Sequence, residues 1–231
     1  MTVIPGGQIV NLSGLSIGVL GGTGPQGKGL ALRFAIAGHA VVLGSRDAAR
    51  ASAAAEEVLA LRPALALDVR GGTNEEAASF GSVVVLAVPY DGHAATVTAL
   101  APLLDGKIVV DCVNPMAFDK AGAIPVDVRE GSAAEQTALL APGARVVSAF
   151  HDVSARRLFG TNSSVNTDIL VCGDDVEAKT LVVGLATQVP GMRGIDAGPL
   201  RLSRELEALT TVLLAINKRY KTHAGVRITG V

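Results

Sequence analysis

The chain has 231 residues, 20 Lys plus Arg against 21 Asp plus Glu, and a formal net charge of −1. That length suits one compact domain or one domain with a small annex, and the balanced charge argues against nucleic acid as a general partner. Hydrophobic residues make up 49% of the chain, enough for a large core, yet no apolar run reaches the roughly 18 residues that a membrane span requires.

Residues 1–14 lack the basic start and long apolar stretch of a secretory signal and are expected to form a flexible leader or part of an edge. Residues 16–20 (SIGVL) read as a short buried strand, followed by the glycine-rich run Gly21-Gly22-Thr23-Gly24-Pro25-Gln26-Gly27. Leu30, Ala31, Phe34, Ala35 and Ala37 then recur at helical spacing until Gly38 stops the helix. Residues 40–43 read as a second strand, 47–61 as an Ala- and Glu-rich helix, and 64–69 as a third strand. Thr73 is placed to cap a short helix. The apolar run 82–88 is a strand ended by Pro89, and a helix follows over 91–100. Residues 107–113 form another buried strand, and 114–131 a long Pro- and Gly-spaced loop of the kind that carries function. Ser132 and Glu135 have the spacing of a capping box for a helix over 132–140, and 145–150 is a sixth strand. Beyond it come a polar stretch, a short strand at 169–172, and a helix capped by Asp174 or Asp175. An extended segment at 194–199 leads into a long helix from 200 to about 221. Leu202, Leu206, Leu209, Leu213 and Ile216 share one face of that helix.

This alternation predicts an α/β fold with a mainly parallel, doubly wound sheet of the Rossmann type. Three segments are expected: the leader (1–14), a nucleotide-binding domain (15–150) and a smaller, helix-rich C-terminal part (151–231). In such sheets ligands sit at the carboxyl ends of the strands. Thr23, Ser45, Val88, Tyr90, Met116 and His151 all fall at or just beyond such ends.

The order strand, tight glycine turn, helix, strand is the context in which a glycine-rich run binds a dinucleotide. Gly22 is expected to permit the sharp turn, Gly24 to admit the pyrophosphate, and Gly27 to let helix and strand pack closely. The helix N-terminus offers free N–H groups and partial positive charge to the phosphates. About twenty residues on, where many such proteins carry an acid for the ribose 2′-OH, the chain reads Ser45-Arg46. A hydroxyl and a guanidinium suit a 2′-phosphate, so the cofactor is expected to be NADP rather than NAD. Cys112 and Cys172 sit in apolar runs without metal-ligand spacing. They are expected to be buried free thiols in a reducing compartment, which implies a cytoplasmic location. No metal site is expected.

The blocks GGTGPQGKGLALRFAIAGH, VVLGSRDAARA, LAVPYDGHA, KIVVDCVNP, VVSAFHDVSARRL, DILVCGDD and GMRGIDAGPLRLSRELEALT closely resemble those of the NADP-dependent reductases of coenzyme F420, a deazaflavin. The first block is shared with several NADP reductases, including the reductase-like domain of metalloreductases. HDVSARRL and GIDAGPL are narrower. The resemblance implies that Thr23, Gly24, Pro25 and Gln26 contact the pyrophosphate. It puts Ser45, Arg46 and Arg50 around the 2′-phosphate. Val88, Tyr90, Ala94 and Met116 line the nicotinamide side, Val153 and Ala155 face the two rings, and Ala224 is placed by the weaker match of the tail. The implied activity is direct hydride transfer between NADP(H) and F420 as substrate, in a homodimer.

Such a transfer runs carbon to carbon, so the cofactors carry the chemistry and the protein supplies binding and orientation. The chain accordingly shows no catalytic triad, zinc-like cluster or Tyr-x-x-x-Lys dyad, and Ala149 and Ala155 are expected to leave a flat slot. His151 has two readings, a group that bonds a deazaflavin carbonyl or stabilises the charge gained on reduction, or an anchor of its own loop. His93 reads as a helix-start residue and His39 as a surface turn. The rival functions are reduction of another flat acceptor (a flavin, quinone or metal chelate) and a non-catalytic NADP(H)-binding regulatory module.

Overall fold

The computed structural model describes residues 2–3, 7, 9–160 and 164–231. The chain's apolar runs become strands buried on both faces, because successive side chains point to opposite sides. The run Val83–Leu86 shows this directly. Val83 and Val85 enter one core cluster, with Leu30 and Phe34, while Val84 and Leu86 enter the other, with Val97, Leu100 and Leu104.

Eight strands make the central sheet: β1 (Ser16–Leu20), β2 (Ala40–Ser45), β3 (Val69–Thr73), β4 (Val83–Leu86), β5 (Ile108–Asp111), β6 (Arg145–Ser148), β7 (Thr167–Gly173) and β8 (Met192–Gly198). Their spatial order is β3-β2-β1-β4-β5-β6-β7-β8. The first six run parallel; β7 is antiparallel to β6, and β8 parallels β7. The helices are α1 (Pro25–Ile36), α2 (Ala48–Ala60), α3 (Asn74–Phe80), α4 (His93–Leu104), α5 (Ala133–Leu140), α6 (Ala155–Phe159), α7 (Val176–Gln188) and α8 (Ser203–Tyr220). Helices α1, α2 and α7 cover one face, and α4 and α5 the other. The strand order reverses between β1 and β4, and this opens a crevice at their carboxyl ends.

The expected capping residues do cap their helices. Thr73 forms a reciprocal capping box with Glu76, Ser132 Oγ accepts from Glu135 N at 3.0 Å, and Asp175 rather than Asp174 caps α7. Other expectations need correction. The third strand is Val69–Thr73, not 64–69, because it starts where it can pair with Val41. The segment expected as a flexible leader pairs Thr2–Val3 with Ile9–Val10 and buries Leu12. The loop 114–131 contains a ribbon, Met116–Phe118 paired with Ala123–Pro125. His39 is not a surface residue: it is buried, accepts from Leu15 N and bonds Gln188 Oε1 at 2.8 Å. The boundary expected near residue 150 falls between β6 and β7, which pair in the one sheet.

Helix α6 rests directly on α1. A Cβ on Gly29 would lie 2.6 Å from Leu158 Cβ, so glycine is required at that crossing. The buried Arg33 guanidinium of α1 donates to the carbonyls of Leu158, Arg157 and Gly160, closing the C-terminus of α6. The first nucleotide-binding helix thus holds in place the segment that follows β6.

Candidate functional site

Two concave regions meet at the carboxyl end of the parallel strands. The first is built on the glycine turn. Gly21 has φ +68°, so the left-handed residue of the turn is Gly21 and not Gly22. Gly22 is needed for space instead: a Cβ there would lie 2.7 Å from Leu43 Cδ2 and 2.9 Å from Val19 O. A Cβ on Gly27 would meet Gly22 Cα at 2.7 Å, which is the close packing expected of it. Around Gly24 the nearest atom to a Cβ is Gly21 O at 3.8 Å, so that face is open. Asn74 Oδ1 holds Gly21 N, and Gly44 O holds Gly22 N. Helix α1 begins at Pro25 with no side-chain cap, and its first N–H groups form an anion site. These features fit a pyrophosphate.

At the end of β2, Ser45 is buried and its Oγ accepts from Asp47 N. Asp47, the one acid here, is occupied as the N-cap of α2, accepting from Ala49 N and Arg50 N. Arg46 and Arg50 are exposed, and their guanidinium groups make no hydrogen bond or ion pair among the described residues. Val88 packs over the glycine turn, where its Cγ1 would meet a Gly21 Cβ at 2.7 Å. Tyr90 opens a short 3-10 turn, its ring stacked on His93 at 6.2 Å between centroids. Ala94 is exposed on the first turn of α4.

The second region is a cavity of about 450 Å³. It collects Gln26, Met116, His151, Val153, Ala155 and Ala224 of the expected site. Gly22, Thr23, Gly24, Pro25, Ser45, Arg46, Arg50, Val88, Tyr90 and Ala94 do not line this cavity. Ala149 is fully buried and lines no slot. Helix α8 closes one side with Thr210, Leu213, Leu214 and Asn217, an i, i+3, i+4, i+7 row on one face. Asn217 Oδ1 accepts from Ala224 N at 2.6 Å. Beyond it the tail bridges to Asp168, whose carboxylate takes Arg193, Arg227 and Ile228 N.

Gln26 joins the two regions. It sits in the first turn of α1, and its Nε2 donates to Phe150 O at 2.9 Å. Phe150 has φ 65°, a conformation rare for a bulky residue. Its ring is held edge-on against Phe34 at 5.8 Å. Next to it His151 bonds Ser148 Oγ through Nε2 at 2.8 Å, while its buried Nδ1 has no hydrogen-bond partner. Burial pushes this imidazole down to about 4, so it is neutral at physiological pH. That nitrogen is sealed from the cavity as well as unpartnered, so the ring lines the wall without offering this atom to it.

The residue reading did not anticipate a buried network behind Tyr90. His93 Nε2 lies 2.9 Å from Asp111 Oδ2 and Nδ1 lies 2.9 Å from Gln136 Oε1. Gln136 Nε2 donates to Glu130, which fixes its oxygen toward His93. Both ring nitrogens therefore donate, and the ring is an imidazolium. Burial alone would depress its pKa, but the Asp111 carboxylate raises it above the ordinary value. Thr137 Oγ1 also donates to Asp111. Glu207 of α8 accepts from Ala133 N and Ala134 N at the start of α5, and burial raises its pKa to about 8. The local sequence carries no signal for this set, because its members come from four separate elements.

The fold and groove define a dinucleotide-binding oxidoreductase of the Rossmann class with a second ligand cavity beside the nucleotide. Residues 16–115 match the family model described as NADP oxidoreductase, coenzyme F420-dependent. The F420-dependent NADP reductase of Methanothermobacter marburgensis is 40% identical over 222 residues, covering 94% of this chain and 99% of that protein. That of Methanocaldococcus jannaschii is 41% identical over 226 residues, covering 94% and 99%. A solved Arthrobacter sp. FB24 structure, provisionally named an F420-dependent NADP reductase, superposes with a TM-score of 0.77. It is 27% identical and is covered in full by 94% of this chain. Metalloreductase STEAP3 of Rattus norvegicus is 35% identical over 198 residues, but these span only 37% of that protein. The chain belongs to the F420-dependent NADP reductase family.

Proposed function

We propose that this protein exchanges a hydride between NADP(H) and coenzyme F420, with NADP in the glycine-turn groove and the deazaflavin in the adjoining cavity. The observation that carries the arrangement is Gln26, which belongs to the anion-binding turn of α1 and also to the cavity wall. When bound, the two coenzymes supply the redox chemistry, a two-electron transfer between ring carbons. The protein's task is to hold the rings within reacting distance, about 3–3.5 Å.

The side chains support this division of labour. Thr23, Gly24 and Pro25 flank the open turn. Arg46 and Arg50 bring two unpaired guanidinium groups to the end of β2 for the 2′-phosphate, with Ser45 beneath. Val88, Tyr90, Ala94 and Met116 stand on the nicotinamide side. Val153, Ala155 and Ala224, held by the α1–α6 crossing and by Asn217, form the apolar wall for the second ring, and the neutral His151 closes that wall from behind. In this reading residues 15–150 hold NADP and 151–231 complete the F420 site. The exposed apolar side chains of Phe118, Ile124 and Val212 support a homodimer through the ribbon and α8. The two buried free cysteines accord with a cytoplasmic location. No helix among the described residues is long and apolar enough to cross a membrane.

The test is direct. Purified protein, NADPH and oxidised F420 are mixed, and loss of the deazaflavin's visible absorbance is followed, with NADH as the comparison. Tight NADPH binding without bleaching would leave only a nucleotide-binding role. Reduction of a flavin or chelated metal in place of the deazaflavin would move the protein to another acceptor.

A further inference from the structure

Asp152 follows His151 on the cavity wall and is 6% exposed. No cation pairs with it among the described residues. Around it stand His151 on its own loop, Arg156 and Arg157 on α6, and His223 on the tail, and none of these bonds it. Its one hydrogen bond joins Oδ1 to Thr210 Oγ1 at 3.2 Å. Thr210 has a single hydroxyl proton, and His151 O at 3.1 Å and Asn114 Oδ1 at 3.2 Å also stand ready to receive it. One satisfied arrangement is therefore a protonated Asp152 donating to Thr210, which donates to one of those two oxygens. Alternatively, Thr210 donates to the Asp152 carboxylate once the acid proton has left. The second carboxyl oxygen has no protein partner among the described residues. Unlike His151 Nδ1, it is not sealed from its surroundings, and Asp152 lines both the cavity and a smaller pocket beside it.

Resting on the hydride-transfer reading above, we propose that Asp152 donates the proton that accompanies hydride transfer to the deazaflavin and takes it back in the reverse direction. The balance is simple. NADPH gives up a hydride, which carries two electrons and one proton to the ring carbon of the acceptor. The reduced deazaflavin holds one further proton on a ring nitrogen. The O–H bond of Asp152 breaks, the N–H bond forms, and the carboxylate is reprotonated from water. Thr210 can stabilise either state by rotating its hydroxyl, so no rearrangement of the wall is needed. Burial holds the acid at about 7, near the optimum for a group that must both give and accept a proton. Its neighbour His151, at about 4, stays neutral and is not the donor. Two adjacent groups with separated pKa values have separable roles.

Two measurements test this. In unmutated, unliganded protein labelled with ¹³C at the aspartate carboxyls, one aspartate resonance is expected to titrate near pH 7. Asp152→Asn identifies it by loss. If all aspartates titrate in the ordinary range below about pH 5, the proposal is overturned whether or not the variant folds. In single-turnover mixing, wild-type reduction of F420 by NADPH is expected to slow as pH rises above 7, and the reverse reaction to accelerate. Asp152→Asn is expected to lower both rates by about 10²- to 10⁴-fold, to flatten both profiles, and to leave the NADPH dissociation constant unchanged. A folded Asp152→Asn with wild-type rates and profiles overturns the role of Asp152 while leaving the reaction intact. Wild-type protein that binds both coenzymes without transfer overturns the reaction and the proposal together.

Discussion

Replacing Arg46 by alanine isolates the cofactor choice. The side chain is exposed and has no partner among the described residues, so its removal is expected to change folding stability by less than about 0.5 kcal/mol. Its one large contribution is then a charge-assisted contact to the 2′-phosphate, worth roughly 1.5–3 kcal/mol. At about 1.4 kcal/mol per decade this is a ten- to hundredfold loss, confined to NADPH because NADH has no 2′-phosphate. Steady-state kinetics with both cofactors at a fixed F420 concentration read it as a rise in the KM for NADPH alone. Arg50→Ala should act in the same direction and more weakly, since its backbone N–H is tied to Asp47 at the first turn of α2. Added salt should shrink the wild-type preference, because the exposed pair is screened over a Debye length of about 8–10 Å. Equal losses for NADPH and NADH would refute the assignment and make Arg46 a solvated strand-end charge.

Three further outcomes are expected. Gly24→Val should cost no more than the weaker N-cap, up to about 1 kcal/mol, since a Cβ there meets nothing nearer than 3.8 Å, yet block NADPH binding measured by fluorescence titration. Gly27→Ala should instead cost about 1–3 kcal/mol in urea denaturation, because its Cβ falls 2.7 Å from Gly22 Cα; the opposite pattern would reverse the two roles. His93→Phe should destabilise by about 3–5 kcal/mol, as it leaves Asp111 buried without its cation. The folded pKa of His93 is raised, so the pair's contribution is full below about pH 6.5 and declines as pH rises through the folded value. Urea midpoints at pH 6 and pH 9 that differ equally in wild type and variant would contradict this. Asp168, held down to about 2 chiefly by Arg193, contributes stability that is present above about pH 4 and lost as pH falls toward 2. Asp168→Asn should flatten that acid limb, and an unchanged limb would show that the tail clasp does not matter to folding.

Much of the architecture was legible in the residues. The run Val83–Leu86 has one reading as a doubly buried strand, and Thr73, Ser132 and Asp175 sit at cap spacing. The expected third strand, 64–69 (ALALDV), is the more apolar segment, whereas the observed strand VRGGT carries two glycines and is selected only by its pairing with β2. His39 follows a helix-stopping glycine and so resembles a turn residue; its burial comes from Gln188, 149 positions away. Leu202, expected on the apolar face of the long helix, is 39% exposed, since it lies in the 3-10 turn Leu200–Leu202 and α8 begins only at Ser203. Asp152 stood in plain view beside His151, yet nothing in its neighbours along the chain indicates that it is buried.

The sequence by itself determined the Rossmann order, the phosphate turn and the preference for NADP, because these depend on contacts within about thirty consecutive residues. Glycine conformations, helix caps and an arginine at a strand end are local properties. The tertiary structure alone decided which glycine carries the left-handed turn and how the second cavity is walled. It also brought His93, Asp111, Gln136 and Thr137 together, made His151 neutral and left Asp152 without a cation. Those properties depend on burial and on partners brought from distant segments, and desolvation is a property of the folded surroundings rather than of the residue.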